Sequence, residues 1–179
     1  ALCAPHTIYG AGKYYTENLI RSYDNMYGLD YVINRFFSVY GERMDCDGAY
    51  TEVIFNWLDM IKRGGDKVTV YGNPDEKILD LVHVNDVVDA IILTTFDKRG
   101  NKQTFNVSTE TGVSLTGLIM KMEIVVKNKL DIEQLPENRT DIENKRVGST
   151  FKLKELGWKN NVSLEEGLKR TYDWITGLE

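Results

Sequence analysis

The sequence is poor in the residues that build metal cages and covalent staples. Its 179 residues include two cysteines, Cys3 and Cys46, and two histidines, His6 and His83. One disulfide is the most the cysteines can form, which excludes a disulfide-dense secreted scaffold. Two cysteines far apart from each other and two histidines likewise give little support to a zinc site. Three prolines and fifteen glycines exclude collagen-like and low-complexity chains. No apolar run reaches the roughly 18 residues of a membrane span, and no basic segment followed by a long apolar stretch opens the chain. Neither a span nor a signal peptide is therefore expected, and the expected location is cytoplasmic. Positive charge is also scarce, with 22 Lys and Arg against 27 Asp and Glu. Without a basic tract, nucleic acid is not an expected partner. A small anionic ligand is not excluded, because it needs only a few local cations and backbone donors.

What remains is a composition that is 42% hydrophobic and 27% charged, enough for a sizeable core. Tyr15, Leu19 and Ile20 recur at helical spacing before Gly28, a natural C-cap, which predicts a helix from about Tyr9 to Met26. Tyr31 to Phe37, YVINRFF, reads as a strand. Val53, Ile54, Trp57, Leu58 and Ile61 form one helix face ended by Gly64 and Gly65. Strands are expected at 67–71 and 79–84, on either side of the Gly-Asn-Pro turn at 72–74, where the local pattern suits a hairpin. A helix at 86–96, a strand at 104–107, a helix at 114–127 and a strand at 130–135 follow. Residues 137–150 read as loop and 152–156 as a short helix. Ser163 with Glu166 forms a capping box that opens the last helix. Strands and helices alternate, which predicts a mixed α/β assembly.

The segment with the most chemical content is Tyr9-Gly-Ala-Gly-Lys13. On a helix, residues four apart share a face. An ammonium beside a phenol stabilises the phenolate, which can then accept an alcohol proton. A structural tyrosine beside a surface lysine has the same spacing. His83, in an alternating V-H-V run, suits either a polar binding surface or a structural imidazole. Asp80 and Asp86 suit turn or cap positions.

Further segments recur in a fixed order: RFFSVYGER at 35–43, LDLVHVNDV at 79–87, LGW at 156–158 and VSLEEGL at 162–168. With Tyr9-x-x-x-Lys13, they resemble the extended short-chain dehydrogenase/reductases, in the NAD-dependent nucleotide-sugar epimerase and dehydratase family. The resemblance implies that Tyr9 is the acid/base and that Lys13 holds the nicotinamide ribose. It also places Ser38, Arg43, Tyr71, His83 and Arg139 at the sugar nucleotide. Three positions depart from the family pattern: Ser38 stands for Asn, Glu42 for Pro, and Leu79 for a phosphate-binding Arg. A leucine cannot neutralise a phosphate. The chain has no G-x-x-G-x-x-G turn, the element that cradles a dinucleotide pyrophosphate.

The fold implied is α/β, the carboxy-terminal part of a Rossmann-like extended short-chain dehydrogenase with a small mixed α/β substrate-binding region. Residues 1–40 would be a partial core carrying the Tyr/Lys helix. Residues 41–179 would be mainly the substrate-binding region, with core elements interleaved around 79–107. The implied activity is NAD-dependent 4-epimerisation of a nucleotide sugar through a transient 4-keto sugar, the chain by itself being inactive. The alternatives are 4,6-dehydration, oxidative decarboxylation, or nucleotide-sugar binding without turnover. By the same resemblance, the parent protein would be a homodimer joined in part through the Tyr9–Met26 helix.

Overall fold

The computed structural model describes residues 4–44, 53–137 and 144–177. Helix α1 spans Ile8–Tyr27, with Thr7 accepting from the Gly10 amide at its start. Gly28 ends it in the left-handed region, φ 70°, and donates its N–H to Asp24 O. The following segment forms β1, Val32–Phe36, and β2, Ser38–Tyr40. The two are nearly one strand: the Phe37 amide still bonds Val107 O at 3.1 Å before the chain moves on to its next neighbour. Helix α2 (Val53–Lys62), strands β3 (Lys67–Tyr71) and β4 (Ile78–His83), and helix α3 (Val84–Phe96) follow. After them come β5 (Gln103–Val107), β6 (Gly112–Ser114), α4 (Leu115–Val126), β7 (Asp131–Leu135), β8 (Lys145–Arg146), α5 (Phe151–Glu155) and α6 (Leu164–Thr176).

Pairing is mostly parallel. Strand β1 runs beside β5, with Val32 opposite Gln103 and Phe36 opposite Val107. Strand β2 runs beside β4, β3 beside β7 and β8 beside β4, whereas β6 is antiparallel to β4. Parallel neighbours need a crossover, commonly helical: α2 lies between β2 and β4 in the chain, and α3 and α4 lie between β3 and β7.

This corrects the expected fold class. The fold is not confined to a carboxy-terminal Rossmann-like piece with a small substrate-binding region, because strand–helix alternation with parallel pairing spans nearly all of the described chain, beginning at α1 and β1. The hairpin expected at 72–74 is corrected as well. A turn is present, with Asn73 Oδ1 accepting from the Asp75 amide, but β3 and β4 do not pair with each other. Strands β6 and β8 go beyond the sequence expectation, each being too short to show a periodicity.

Two apolar clusters hold the layers together. The larger packs Ile54, Trp57 and Leu58 of α2 with Val68 and Val70 of β3, Leu118 and Met122 of α4, and Leu168 of α6. The smaller joins Val82, Val87, Phe105, Val107, Leu153 and Trp158. Trp158 also donates Nε1–H to Asp86 O, so it fastens α3 to the segment before α6. Trp174 meets Phe55 with ring centroids 6.4 Å apart.

Candidate functional site

Tyr9 and Lys13 lie one turn apart in the first half of α1, on a helix none of whose residues is buried. Lys13 Nζ stands 5.3 Å from the Tyr9 ring centroid, and Tyr9 is 63% exposed. The pair therefore shares one face and is open to a ligand.

Three polar ties fix where α1 lies. Near its end, Asp24 meets Lys102 Nζ at 2.6 Å. One turn earlier, Arg21 donates to Thr104 Oγ1 at 3.2 Å. Earlier still, Arg35 donates to both Glu17 oxygens at 2.6 Å, and Arg35 is the register partner of Asn106. As the helix numbers fall, the strand numbers rise, so α1 runs antiparallel to β1 and β5. Lys13 and Tyr9 lie about 6 and 12 Å beyond Glu17 along the helix, a distance of about two and four strand residues. That brings them level with the Phe37–Val39 segment, at the carboxyl ends of two parallel strands, where open α/β sheets bind ligands. Ser38, half-buried at the start of β2, belongs to the same level.

The other expected residues are more scattered. Arg43 is exposed just past β2 in the left-handed region, φ 64°, an uncommon backbone for a side chain of its size. Tyr71 ends β3 and is half-exposed. Arg139 lies outside the described residues. Leu79 packs against the larger cluster, and its register partner on β8 is Arg146.

His83 is buried. It caps α3, its Nδ1 accepting from the Asn85 amide at 3.3 Å, and its Nε2 lies 3.0 Å from Glu42 Oε2. An Nδ1 that accepts carries no proton, which fixes the neutral Nε2–H tautomer. Burial pushes its pKa below the usual histidine value, against the pull of Glu42. Burial opposes ionisation of Glu42, yet its own backbone N–H, Arg170 and His83 together hold its carboxyl below the ordinary range. Tyr40 meets the His83 ring edge-on, centroids 5.4 Å apart.

Asp80 and Asp86 are buried organisers, a larger role than turn or cap carboxylates. Asp80 accepts from the Thr109 amide and hydroxyl, the Glu110 amide and the Gly148 amide. Asp86 accepts from the amides of Asn161 and Val162. Glu17, Arg35, Glu42 and Arg170 were not foreseen in the sequence. Glu17 and Arg21 continue the Tyr9–Lys13 stripe at four-residue steps, and that spacing was the available signal. No group of His, Cys, Asp and Glu suited to a metal occurs among the described residues, and no helix among them is long and apolar enough to cross a membrane. An open groove of about 350 Å³ lies over β1, β5 and α5, lined by Arg35, Thr104, Asn106 and Phe151 among others.

Similarity to known proteins agrees with this geometry. The chain is 32% identical to a putative UDP-glucose 4-epimerase of Methanocaldococcus jannaschii, over 96% of the chain and 54% of that protein. It is 32% identical to UDP-glucuronate 4-epimerase 5 of Arabidopsis thaliana, over 97% of the chain and 42% of that protein. The structure superposes on UDP-glucose 4-epimerase of Thermotoga maritima, solved with UDP-glucose, at a TM-score of 0.89 and 32% identity, covering 98% of this chain and 56% of that one. The Thermus thermophilus UDP-glucose 4-epimerase, solved with NAD, gives 0.88 at 28% identity, covering 97% and 55%. The chain thus spans about half the length of the relatives it matches. The family model for NAD dependent epimerases and dehydratases falls on residues 1–108. That overturns the expectation of a carboxy-terminal portion only, which leaned on the order of the motifs from Tyr9-x-x-x-Lys13 onward and on the missing glycine-rich turn; of those motifs, LGW and VSLEEGL lie beyond the matched residues. With the model covering more than half of its length, the chain belongs to the NAD dependent epimerase/dehydratase family.

Proposed function

We propose that the protein containing this chain is an NAD-dependent nucleotide-sugar 4-epimerase in which Tyr9 is the acid/base and Lys13 its electrostatic partner. The observation that carries this is the position of the pair: one exposed face of α1, level with Ser38 at the carboxyl ends of β1 and β5. A phenol and an ammonium side by side suit the ribose diol and nicotinamide end of NAD. The glycine-rich turn for its pyrophosphate is absent from the sequence, so the residues present fit one end of the cofactor. When bound, NAD supplies the hydride acceptor and donor.

Tyr9 takes the proton of the sugar hydroxyl as the ketone forms and returns it to the same oxygen after the keto sugar has turned its other face to the hydride donor, which inverts C4. Lys13, 5.3 Å from the Tyr9 ring, orients the ribose. Ser38, Arg43, Tyr71, His83 and Arg139 remain the proposed contacts to the sugar nucleotide, with the buried His83 acting through β4 and α3. Turnover by residues 1–179 alone is not expected, because half of the cofactor cradle is missing from them.

Tyr9→Phe tests the assignment by removing the proton acceptor while preserving the cleft. Proton NMR of UDP-glucose or UDP-glucuronate incubated with NAD and the whole protein should show C4 inversion. The variant should lower turnover by about 10²-fold or more, with NAD affinity retained. No inversion with any common UDP-sugar overturns the assignment. A 4-keto-6-deoxy product or released carbon dioxide would make the protein a dehydratase or decarboxylase. Leu79 and Ser38 favour one second reading, a binding protein without turnover, which calorimetry would reveal as sugar-nucleotide affinity with no product.

A further inference from the structure

The helix that carries the reactive pair is held unusually. None of the α1 residues is fully buried; Tyr14 and Ile20 are half-buried, but no α1 residue joins either apolar cluster, so little of the apolar packing that normally seats a helix on a sheet is present. It is held instead by a row of polar ties from Glu17, Arg21 and Asp24. Of these, the Glu17 tie is closest to Tyr9 and the most directional. Arg35 Nε and Nη2 each reach one Glu17 oxygen at 2.6 Å, and Arg21 Nη2 adds a third contact at 3.0 Å. The Glu17 side chain is only 12% exposed, against 40% for Arg35. A two-pronged guanidinium–carboxylate contact fixes direction as well as distance, and this one joins the stripe of Tyr9 and Lys13 to the carboxyl-terminal end of β1.

From the observations above we infer that Glu17, through Arg35 and Arg21, is a positioning residue that sets how far Tyr9 and Lys13 stand beyond the ends of β1 and β5. Without it, the ties of Arg21 to Thr104 and of Asp24 to Lys102 remain near the far end of the helix and together become a pivot. Tyr9 lies about 22 Å from Asp24 along the helix, so a tilt of about 10° displaces it by about 4 Å. A displacement of about 1 Å is enough to cost a proton transfer on the order of 10²-fold. The inference rests on the assignment of Tyr9 and Lys13 as the reactive pair.

The test reads position directly. In the whole protein with its cysteines, Cys3 and Cys46 among them, replaced by serine, a nitroxide is attached at Gly12→Cys, a site where an added Cβ meets nothing within 4 Å. The amide signals of residues 37–40 should be broadened by the label. Glu17→Gln should reduce that broadening at least threefold, with α1 amide exchange still helical, and Glu17→Arg with Arg35→Glu should restore it. Unchanged broadening in Glu17→Gln overturns the inference. Loss of α1 helicity also overturns it, because Glu17 would then be needed to form the helix and not to aim it. In the turnover assay, Glu17→Gln should lower kcat at least tenfold with NAD affinity within twofold. The label experiment involves no turnover, so failure of the epimerase assignment and failure of the positioning role are read separately.

Discussion

At the scale of single residues, the His83 environment makes a signed prediction about pH. The folded chain holds His83 neutral, its pKa lowered chiefly by burial, while the unfolded chain binds a proton near pH 6.5. The unfolded state therefore gains protons first, and the stability present above about pH 6.5 is lost as pH falls through and below that value. The second proton would go to Nδ1, which already accepts from Asn85, so protonation also removes the cap of α3. Glu42 moderates the loss by attracting the imidazolium. Glu42→Gln should thus steepen the fall in melting temperature between about pH 7 and 5, and His83→Asn, a side chain suited to capping, should flatten it. A scanning-calorimetry series that gives parallel curves for all three proteins would refute this account. Asp80 is a second case. Its four donors span the loop after β5 and the segment after β8, and Asp80→Ala would leave partly buried amides unpaired. The expected cost is on the order of 3 kcal/mol, measured by urea unfolding.

Elements were legible in the sequence where a local rule governed them. Gly28 and Ser163 carry cap signals in the sequence, and both perform that role. What the sequence could not show was pairing across distance. Nothing local says that Arg35 will reach Glu17, that Arg146 will stand beside Leu79, or that Glu42 will meet Arg170 and His83. Each depends on which strands become neighbours. Residue 167 shows how the tertiary setting overrides local propensity. In an exposed helix, replacing glycine with alanine gains about 1 kcal/mol. A Cβ at Gly167, however, would lie 2.2 Å from Tyr40 Oη and 2.9 Å from His83 Cδ2. Helix α6 approaches β2 and β4 so closely that Gly167→Ala should destabilise by about 1 to 3 kcal/mol, not stabilise. A higher urea midpoint for the variant would show that Tyr40 yields instead.

For the whole molecule, the unusual feature is that α1 points its polar stripe inward and leaves an apolar stripe outside. Glu17, Arg21 and Asp24 face the sheet, while Tyr15, Leu19, Tyr23 and Met26 are 67%, 42%, 50% and 69% exposed at spacings that place them on one side of the helix. Exposed apolar residues in a row, and not scattered singly, mark an association surface. The resemblance that points to Tyr9 also implies that the parent protein is a homodimer joined in part through this helix, and we propose that the outward stripe is the surface such a pairing would use. A twofold pairing would set each Tyr15–Met26 stripe against its copy, and the polar ties would stay within each subunit. Sedimentation velocity should show a dimer growing between about 1 and 100 μM. Leu19→Lys with Tyr23→Lys should abolish it by placing like charges across the axis. Neither position takes part in the polar ties, so the melting temperature of the monomer should change little. A chain that stays monomeric throughout that range, or a dimer that survives both lysines, would remove α1 from the interface.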